Sequence, residues 1–338
     1  MSMQRRVVVW WRALRYHYVS PSIFPAALGG LVSWANGSGF SLPLFTLVMA
    51  GVVVNHVGLN MTDDYFDYRY SVDHVAPGER NPYTGGSGTL SAGLIAPVSM
   101  ARAFSLCYAA TVAVGLYITV LRGPLVLAFG CVGLFCSYFY TAKPFSMASR
   151  GLGELSMLVN FGTTIGLGSF FVQSGTLTWE AFWGTLPLGV MLFSMMVVNE
   201  IPDFGEDQAA GKLTLVARVG VKTGTMIYAA SWVTNYAVIV GAVALGILPQ
   251  FCLVALASAP LVIRSLKVLE TYNDNGAAMA PANLDMLRAH GVTGLCLLGA
   301  YSVWGLSRGA DPVVLVVALA VTAAFYLPNA VALVRVGR

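Results

Sequence analysis

Ten apolar runs, near residues 20–37, 41–60, 101–121, 123–141, 153–174, 180–198, 223–247, 249–266, 289–306 and 312–334, take up most of the chain. At 1.5 Å rise per residue, each has about the length an α-helix needs to cross a hydrocarbon layer of roughly 30 Å. Inside lipid a backbone must satisfy its own hydrogen bonds, so runs of this length are expected as helices. The expected fold is therefore an all-α integral membrane protein, a bundle of nine to ten transmembrane helices. Composition agrees: 57% of the 338 residues are hydrophobic and 10% are charged, against about 25% charged in ordinary soluble domains. Such a bundle forms one continuous body, and a single transmembrane domain is expected over residues 1–338.

The basic residues test this segmentation, because Lys and Arg accumulate in cytoplasmic connections. With ten crossings, all of the 19 Lys and Arg residues except Arg122 and Arg308 fall in the termini, in the connections after the second, fourth, sixth and eighth runs or, for Arg102 and Arg264, at the ends of the runs that adjoin those connections. The bias predicts both termini on the cytoplasmic side of a cytoplasmic membrane. Arg5, Arg6, Arg12 and Arg15 beside Trp10 and Trp11 read as an interfacial anchor rather than a cleaved signal. The net charge of +4 accompanies no basic patch with a reading motif, so the expected partner is a lipid bilayer and not a nucleic acid. The five cysteines lie in apolar stretches without metal-ligand spacing and read as small buried hydrophobes.

Acidic residues contribute little to topology, yet 13 of the 15 also lie on the inner side. They concentrate in two connections, after the second and sixth runs. The first cluster is Asn60-Met-Thr-Asp63-Asp64-Tyr65-Phe66-Asp67; at 100° per residue Asn60, Asp64 and Asp67 share one helical face. The second is Asn199-Glu200-Ile-Pro202-Asp203-Phe-Gly-Glu206-Asp207, where Asn199, Asp203 and Asp207 step by four along a similar face if the helix continues through Pro202, which can instead kink it. Because the clusters recur four helices apart, two pseudo-repeated four-helix halves are expected to face each other.

Carboxylates this close repel at a membrane boundary unless cations neutralise them. Oxygen-only ligands point to magnesium, which is held by one or two carboxylates, water and substrate phosphates. Two facing clusters then form a clamp for a metal-bridged diphosphate. A single such cluster would more simply solvate a loop; two clusters, each led by Asn, favour the clamp. Arg69, Arg80, Lys143, Arg150, Lys212 and Arg218 lie near the clusters and are candidates for phosphate oxygens, although topology alone accounts for any one of them. His56, one turn before Asn60, is a candidate base for an acceptor, but a lone membrane histidine more often serves as an interhelical hydrogen-bonder. Gly151 and Gly153 lack the accompanying pattern of a phosphate loop.

These motifs resemble the UbiA superfamily of intramembrane prenyltransferases from about Arg15 through the ninth run. Asn60 to Asp73 (NMTDDYFDYRYSVD) resembles the first Asp-rich motif of that family, and Asn199 to Gly220 (NEIPDFGEDQAAGKLTLVARVG) resembles the second. Tyr140-Thr-Ala-Lys143-Pro144 with Arg150-Gly-Leu-Gly-Glu154, and Arg80-Asn-Pro82 with Thr84-Gly-Gly-Ser-Gly88, resemble the branch that prenylates 1,4-dihydroxy-2-naphthoate in menaquinone biosynthesis. The chain departs from the family at Tyr16, which follows Arg15 where proline is frequent, and at Ser71, where some branches carry a third Asp. It also has one apolar run more than is usual: the last, about 312–334, is either an addition or a segmentation error.

The resemblance implies transfer of a polyprenyl group from its diphosphate to a small aromatic acceptor. Asp64, Asp67, Asp203 and Asp207 would bind two Mg2+ ions, with Asn60 and Asn199 in the catalytic set. Arg69, Arg80, Lys143, Lys212 and Arg218 would bind the diphosphate. Arg15 would pair with an acceptor carboxylate, and Tyr65, Tyr138 and Tyr140 would shield the allylic cation. A membrane terpene cyclase would use the same metal site without an acceptor, and a transporter is the rival from another class. The position of the acids at one membrane boundary, away from the midplane, weighs against transport.

Overall fold

A computed structural model of the chain describes residues 2–70, 81–272 and 275–336. All regular structure among these residues is helical, and every apolar run lies in a helix. An amphipathic helix α1 (Met3–Leu14) leads into α2 (Ser20–Ala35) and the long α3 (Leu42–Arg69). Next come α4 (Pro97–Arg122) and the shorter α5 (Leu125–Phe139). The fifth run is one rod made of α6 (Gly153–Leu158), a π-helical turn (Val159–Thr164) and α7 (Ile165–Ser174).

The second half begins with α8 (Trp179–Glu200), followed by two short helices, α9 (Phe204–Ala209) and α10 (Leu215–Val219). It continues through α11 (Val221–Ala244), a 3-10 segment (Gln250–Ser258) running into α12 (Ala259–Leu269), α13 (Ala280–Ser307) and α14 (Pro312–Val336). Seven helical segments among the described residues are long and apolar enough to cross a membrane: Leu42–Arg69, Pro97–Arg122, Gly153–Ser174, Trp179–Glu200, Val221–Ala244, Gln250–Leu269 and Pro312–Val334. The protein is an integral membrane protein.

Local sequence sets the helix ends. Proline occupies the first turn of α2, α3, α4, α12 and α13, where its missing N–H costs no intrahelical bond. Thr178 caps α8 by accepting from the Ala181 N–H at 3.2 Å. Helix α8 stops at Glu200, so of the two courses open at Pro202 the chain takes the break, and Asn199, Asp203 and Asp207 do not share one continuous helix. Pro202 lacks an N–H and its ring clashes with the carbonyl four residues back, so the chain turns and Asp203 becomes the N-cap of α9.

Every residue of α2 is buried, as expected of a helix that is apolar all round. It packs against α3, α7, α8, α13 and α14. Helices α4, α11 and α14 lie at the periphery, with only a minority of their residues buried. The rod of the fifth run and α8 touch backbone to backbone: a Cβ built on Gly162 would lie 2.7 Å from the Gly189 Cα, and one on Gly189 would lie 2.6 Å from the Gly162 Cα. Small residues permit this close approach where packing, rather than hydrophobic burial, holds helices together. The contact fixes the two walls of the cavity described next.

Candidate active site

The last two turns of α3 carry the first acidic cluster, and the turn after α8 carries the second. They line one cavity of about 130 Å³, with Asp63 and Asp67 on one side and Asp203 and Asp207 on the other. Residues from α3, the fifth-run rod and α8, among them Leu59, Met157, Phe161, Leu192 and Met195, form its apolar floor, with His56 beside them. Arg15, Lys212, Tyr18, Tyr140 and Thr84 complete the polar rim.

Two cations bridge onto the first cluster. The Arg15 guanidinium reaches Asp63 Oδ2 at 3.1 Å and Asp64 Oδ1 at 3.4 Å. The Lys212 ammonium lies 2.9 Å from Asp67 Oδ2. Arg15 is delivered by a left-handed backbone turn at φ 47°, which is uncommon for a residue with a side chain. Asn60 holds that turn by donating from Nδ2 to the Leu14 carbonyl at 3.0 Å and to the Arg15 carbonyl at 3.3 Å. Lys212 is fixed through its own N–H, which donates to the Asp207 carbonyl at 2.8 Å. Just beyond it, Glu154 accepts from the Leu215 N–H at 3.3 Å and Glu200 from the Val216 N–H at 3.0 Å, anchoring α10.

Hydroxyls and a backbone amide orient the acids. Thr141 Oγ1 donates to Asp63 at 2.6 Å, Thr84 Oγ1 to Asp203 at 2.8 Å, and the Ser87 N–H to Asp64 Oδ1 at 2.9 Å. Burial, reinforced by the neighbouring Asp207, raises the Asp203 carboxyl to about 7. Burial raises Asp207 to about 6 against the pull of Lys212. Burial works against the Lys212 ammonium, but the Asp67 and Asp207 carboxylates outweigh it and hold its pKa well above the usual lysine value.

The expected site residues divide into four groups. Asn60, Asp67, Asn199, Asp203, Asp207, Lys212, Arg15 and Tyr140 line the cavity. Asp64 lies beside it and is turned toward Arg15 and Ser87, with its Oδ2 buried and unpartnered. Arg69 stacks on Tyr65 with its guanidinium 5.8 Å from the ring centroid, the Lys143 ammonium lies 4.8 Å from the Tyr70 centroid, and Arg218 Nε donates to the Leu213 carbonyl at 2.8 Å; none of the three lines the cavity. Tyr65 and Tyr138 belong to an aromatic cluster with Phe66, Phe104 and Tyr108, away from the cavity. Arg80 lies outside the described residues.

Four further residues line the cavity: Asp63 and Glu200, members of the acidic clusters outside the expected ligand set, and Tyr18 and Thr84. Asp63 was adjacent to a selected acid and Thr84 opened a noted glycine-rich stretch, but no sequence signal marks Tyr18. Among the described residues no three acidic, histidine or cysteine side chains converge as a ready-made metal centre. The donor set nevertheless fits magnesium, which takes one or two carboxylates and completes its shell with water and phosphate. The buried, unpartnered Asp64 Oδ2 agrees with a cationic guest, because a carboxylate oxygen left alone in an apolar setting is costly.

Comparison with known proteins places this geometry in context. The chain is 24% identical over 259 residues to a 1,4-dihydroxy-2-naphthoate octaprenyltransferase of Bacillus subtilis, covering 77% of this chain and 81% of that one. It is 26% identical over 305 residues to the Mycobacterium tuberculosis protein of the same name, covering 88% and 94%. Among solved structures, an apo UbiA homolog from Aeropyrum pernix aligns with a TM-score of 0.60 at 18% identity, covering 83% of this chain and 97% of the other. A UbiA homolog from Archaeoglobus fulgidus bound to GPP and Mg2+ aligns with a TM-score of 0.55 at 11% identity, covering 96% and 99%. The profile of the UbiA prenyltransferase family matches residues 22–290, most of the helical bundle and both acidic clusters, and the chain belongs to that family.

Proposed function

We propose that the protein transfers a prenyl group from an allylic polyprenyl diphosphate to a small hydroxylated aromatic acid of the dihydroxynaphthoate type, as a step in quinone biosynthesis. The observation that carries this reading is one cavity with acids from both motifs at its rim, two cations among them, and an apolar floor beneath. The similarity to dihydroxynaphthoate octaprenyltransferases supports the acceptor class, and the Archaeoglobus structure supports magnesium and a prenyl diphosphate as ligands.

On this reading Asp67, Asp203 and Asp207, with Asp63 or Asp64, hold two Mg2+ ions. When bound, these ions neutralise the leaving diphosphate as Lewis acids. Lys212 binds diphosphate oxygens and stabilises the charge that develops as the bond from C1 to oxygen breaks. Tyr18 and Tyr140 screen the allylic cation from water without attacking it, and Arg15 orients an acceptor carboxylate. With diphosphate released from C1, an aromatic carbon of the acceptor bonds to C1, and the proton on that carbon passes to the released diphosphate or to water as the ring regains aromaticity. The prenyl tail lies over Met157, Phe161, Leu192 and Met195. All ten apolar helices cross the cytoplasmic membrane in this reading, with the last an addition to the usual bundle, the site and both termini facing the cytoplasm, and two four-helix halves supplying one acidic cluster each.

The test is purified protein with Mg2+, diphosphates of several chain lengths and a panel of aromatic acids, with products identified by mass. A prenylated dihydroxynaphthoate is the expected product. A cyclic hydrocarbon formed from the diphosphate alone would replace transfer with cyclisation.

A further inference from the structure

On α13 the exposed residues Arg288, Leu295, Gly299, Val303 and Leu306 recur at helical spacing and form one outward stripe. On the segment that ends in α12, Val254, Ala257, Pro260 and Arg264 form another, continued by Lys267. The two segments pack side by side. Both stripes are apolar along the bundle and turn basic toward one end. That end carries the acidic site, because Asn283, near the start of α13, donates to Asn199 Oδ1 at 2.9 Å. At 1.5 Å per residue, Arg264 lies about 8 Å before the last residue of α12 and Arg288 about 12 Å past the first of α13.

Asp285 joins the two stripes. It is buried, and Arg264 donates to it from Nε to Oδ2 at 3.0 Å and from Nη2 to Oδ1 at 2.5 Å. Arg288 Nη1 lies 3.6 Å from the same Oδ1. One guanidinium suffices to neutralise a buried carboxylate. Here two share it, and their side chains stay 60% and 52% exposed. Lys267, one turn beyond Arg264, is exposed as well, so the cluster carries more positive charge than Asp285 cancels. Among the described residues neither arginine pairs with a second acid. Glu270, the next exposed acid on that side of the connection, stands about 9 Å further along the axis than Arg264 and about 120° round it. The positive-inside bias accounts for basic residues in the connections. It does not account for two guanidiniums set inside the helices on outward faces, where charged side chains are rare.

We propose that the outer face of α12 and α13 binds an anionic phospholipid, with its headgroup phosphate on Arg264 and Arg288 and its acyl chains along the apolar stripes. Charge selects the ligand. Asp285 engages only part of each guanidinium, and the remaining N–H donors suit phosphate oxygens. The ammonium of a zwitterionic headgroup would find no second acid paired with either arginine, so a net anionic lipid is preferred. Basic clusters at a membrane boundary attract such headgroups, each Lys or Arg strengthening the attraction about fivefold. A second copy of this chain meeting the face across a two-fold axis would instead oppose like charges. The site is separate from the acidic cavity: neither arginine lines that cavity. Arg288 also stands about 140° round α13 from Asn283, the residue that touches Asn199.

The test is equilibrium binding of radiolabelled dioleoyl phosphatidylglycerol, and of the matching phosphatidylcholine, to delipidated full-length protein in detergent, which reads occupancy and is independent of turnover. Saturable binding of phosphatidylglycerol is expected, about tenfold or more tighter than that of phosphatidylcholine. Arg288→Gln, which leaves Arg264 on Asp285, should cut this preference about fivefold. Lys267→Glu reverses a charge at an exposed position outside the ion pairs and should cut it at least as much, so a folding defect in the first variant does not decide the result. Arg6→Gln, which removes an exposed charge on α1, should leave the preference unchanged. Equal affinity for the two lipids, or an undiminished preference in both Arg288→Gln and Lys267→Glu, would overturn the proposal. An equal loss in Arg6→Gln would overturn it by showing that overall charge, rather than this face, attracts the lipid. Displacement by geranyl diphosphate with Mg2+ would place the lipid in the acidic cavity and overturn it as well. Inorganic phosphate as competitor distinguishes the source: failure to compete supports a membrane lipid, and displacement at equal concentration would show a site for free anions instead.

Discussion

Lys212 and Asp67, 145 residues apart in sequence, meet with Nζ 2.9 Å from Oδ2. The pair joins the loop after α9 to the end of α3, so the first acidic motif presents its charge to a counter-ion delivered by the second. In a largely dehydrated setting, such a pair repays its desolvation only with good geometry and further hydrogen bonds. Both partners line the cavity, where an anionic guest can take over the lysine.

The first prediction concerns that lysine. Lys212→Ala should raise the KM for the diphosphate at least about tenfold and lower kcat/KM by about 10², with Lys212→Arg recovering part of the loss. Steady-state kinetics on both variants check it; an unchanged kcat/KM in Lys212→Ala would remove Lys212 from the diphosphate site.

Asp203→Ala should lower turnover by about 10² or more while leaving the thermal unfolding midpoint in EDTA at pH 5.5 within a few degrees of the parent. The side chain faces the cavity, and among the described residues it accepts a hydrogen bond from Thr84. A folded variant retaining more than about a tenth of the parent rate would remove Asp203 from the site.

Stability without metal should fall as pH rises. Asp203 and Asp207 titrate near 7 and 6 in the folded protein and near 4 when unfolded, so folding takes up protons. The stability they supply is whole below about pH 4 and is lost as pH rises through 6 to 7. In EDTA the unfolding midpoint should be lower at pH 8 than at pH 5.5, Mg2+ should restore it at pH 8, and Asp203→Asn should flatten the slope. A midpoint independent of pH in this window would contradict the assigned shifts.

Gly189→Ala should destabilise the bundle by about 1–3 kcal/mol, the usual cost of forcing extra volume into a packed interior. The new Cβ would lie 2.6 Å from both the Gly162 Cα and the Leu158 carbonyl, which are backbone atoms that cannot rotate away. The same change at Gly241, where a Cβ meets nothing within 4 Å, is the control. Equal thermal midpoints for the two variants would show that the α8 contact is looser than described.

Sidedness is open to a direct check. Cysteines introduced at Ser38 and Thr176 should react with a membrane-impermeant thiol reagent from outside only, because the positive-inside bias of the Lys and Arg residues places these connections opposite the acidic site. Labelling from the cytoplasmic face alone would invert the proposed topology.

Much of this protein is legible in one dimension. Helical class, lipid as solvent and the two acidic motifs all follow from local pattern, since run length and residue type suffice to specify them. That Asp67, Asp203 and Asp207 fall near helix ends was likewise accessible, because Asp67 lies in the last turn of one long apolar helix and Asp203 and Asp207 follow the end of another. Tertiary structure alone decided which neighbours reach the site. Asp63 and Asp64 are adjacent, yet Asp63 lines the cavity while Asp64 turns toward Arg15 and Ser87, an outcome set by where Thr141 and Ser87 dock. Of the nearby cations, Arg69, Lys143 and Arg218 pair with local rings or carbonyls, whereas Arg15, far off in sequence, arrives through a left-handed turn held by Asn60. That Arg264 of one helix meets Asp285 of the next had no sequence signature at all. Charge and hydropathy are properties of single residues and survive projection onto a line, but a hydrogen-bond partner or a shared cavity wall depends on distances that only helix packing defines.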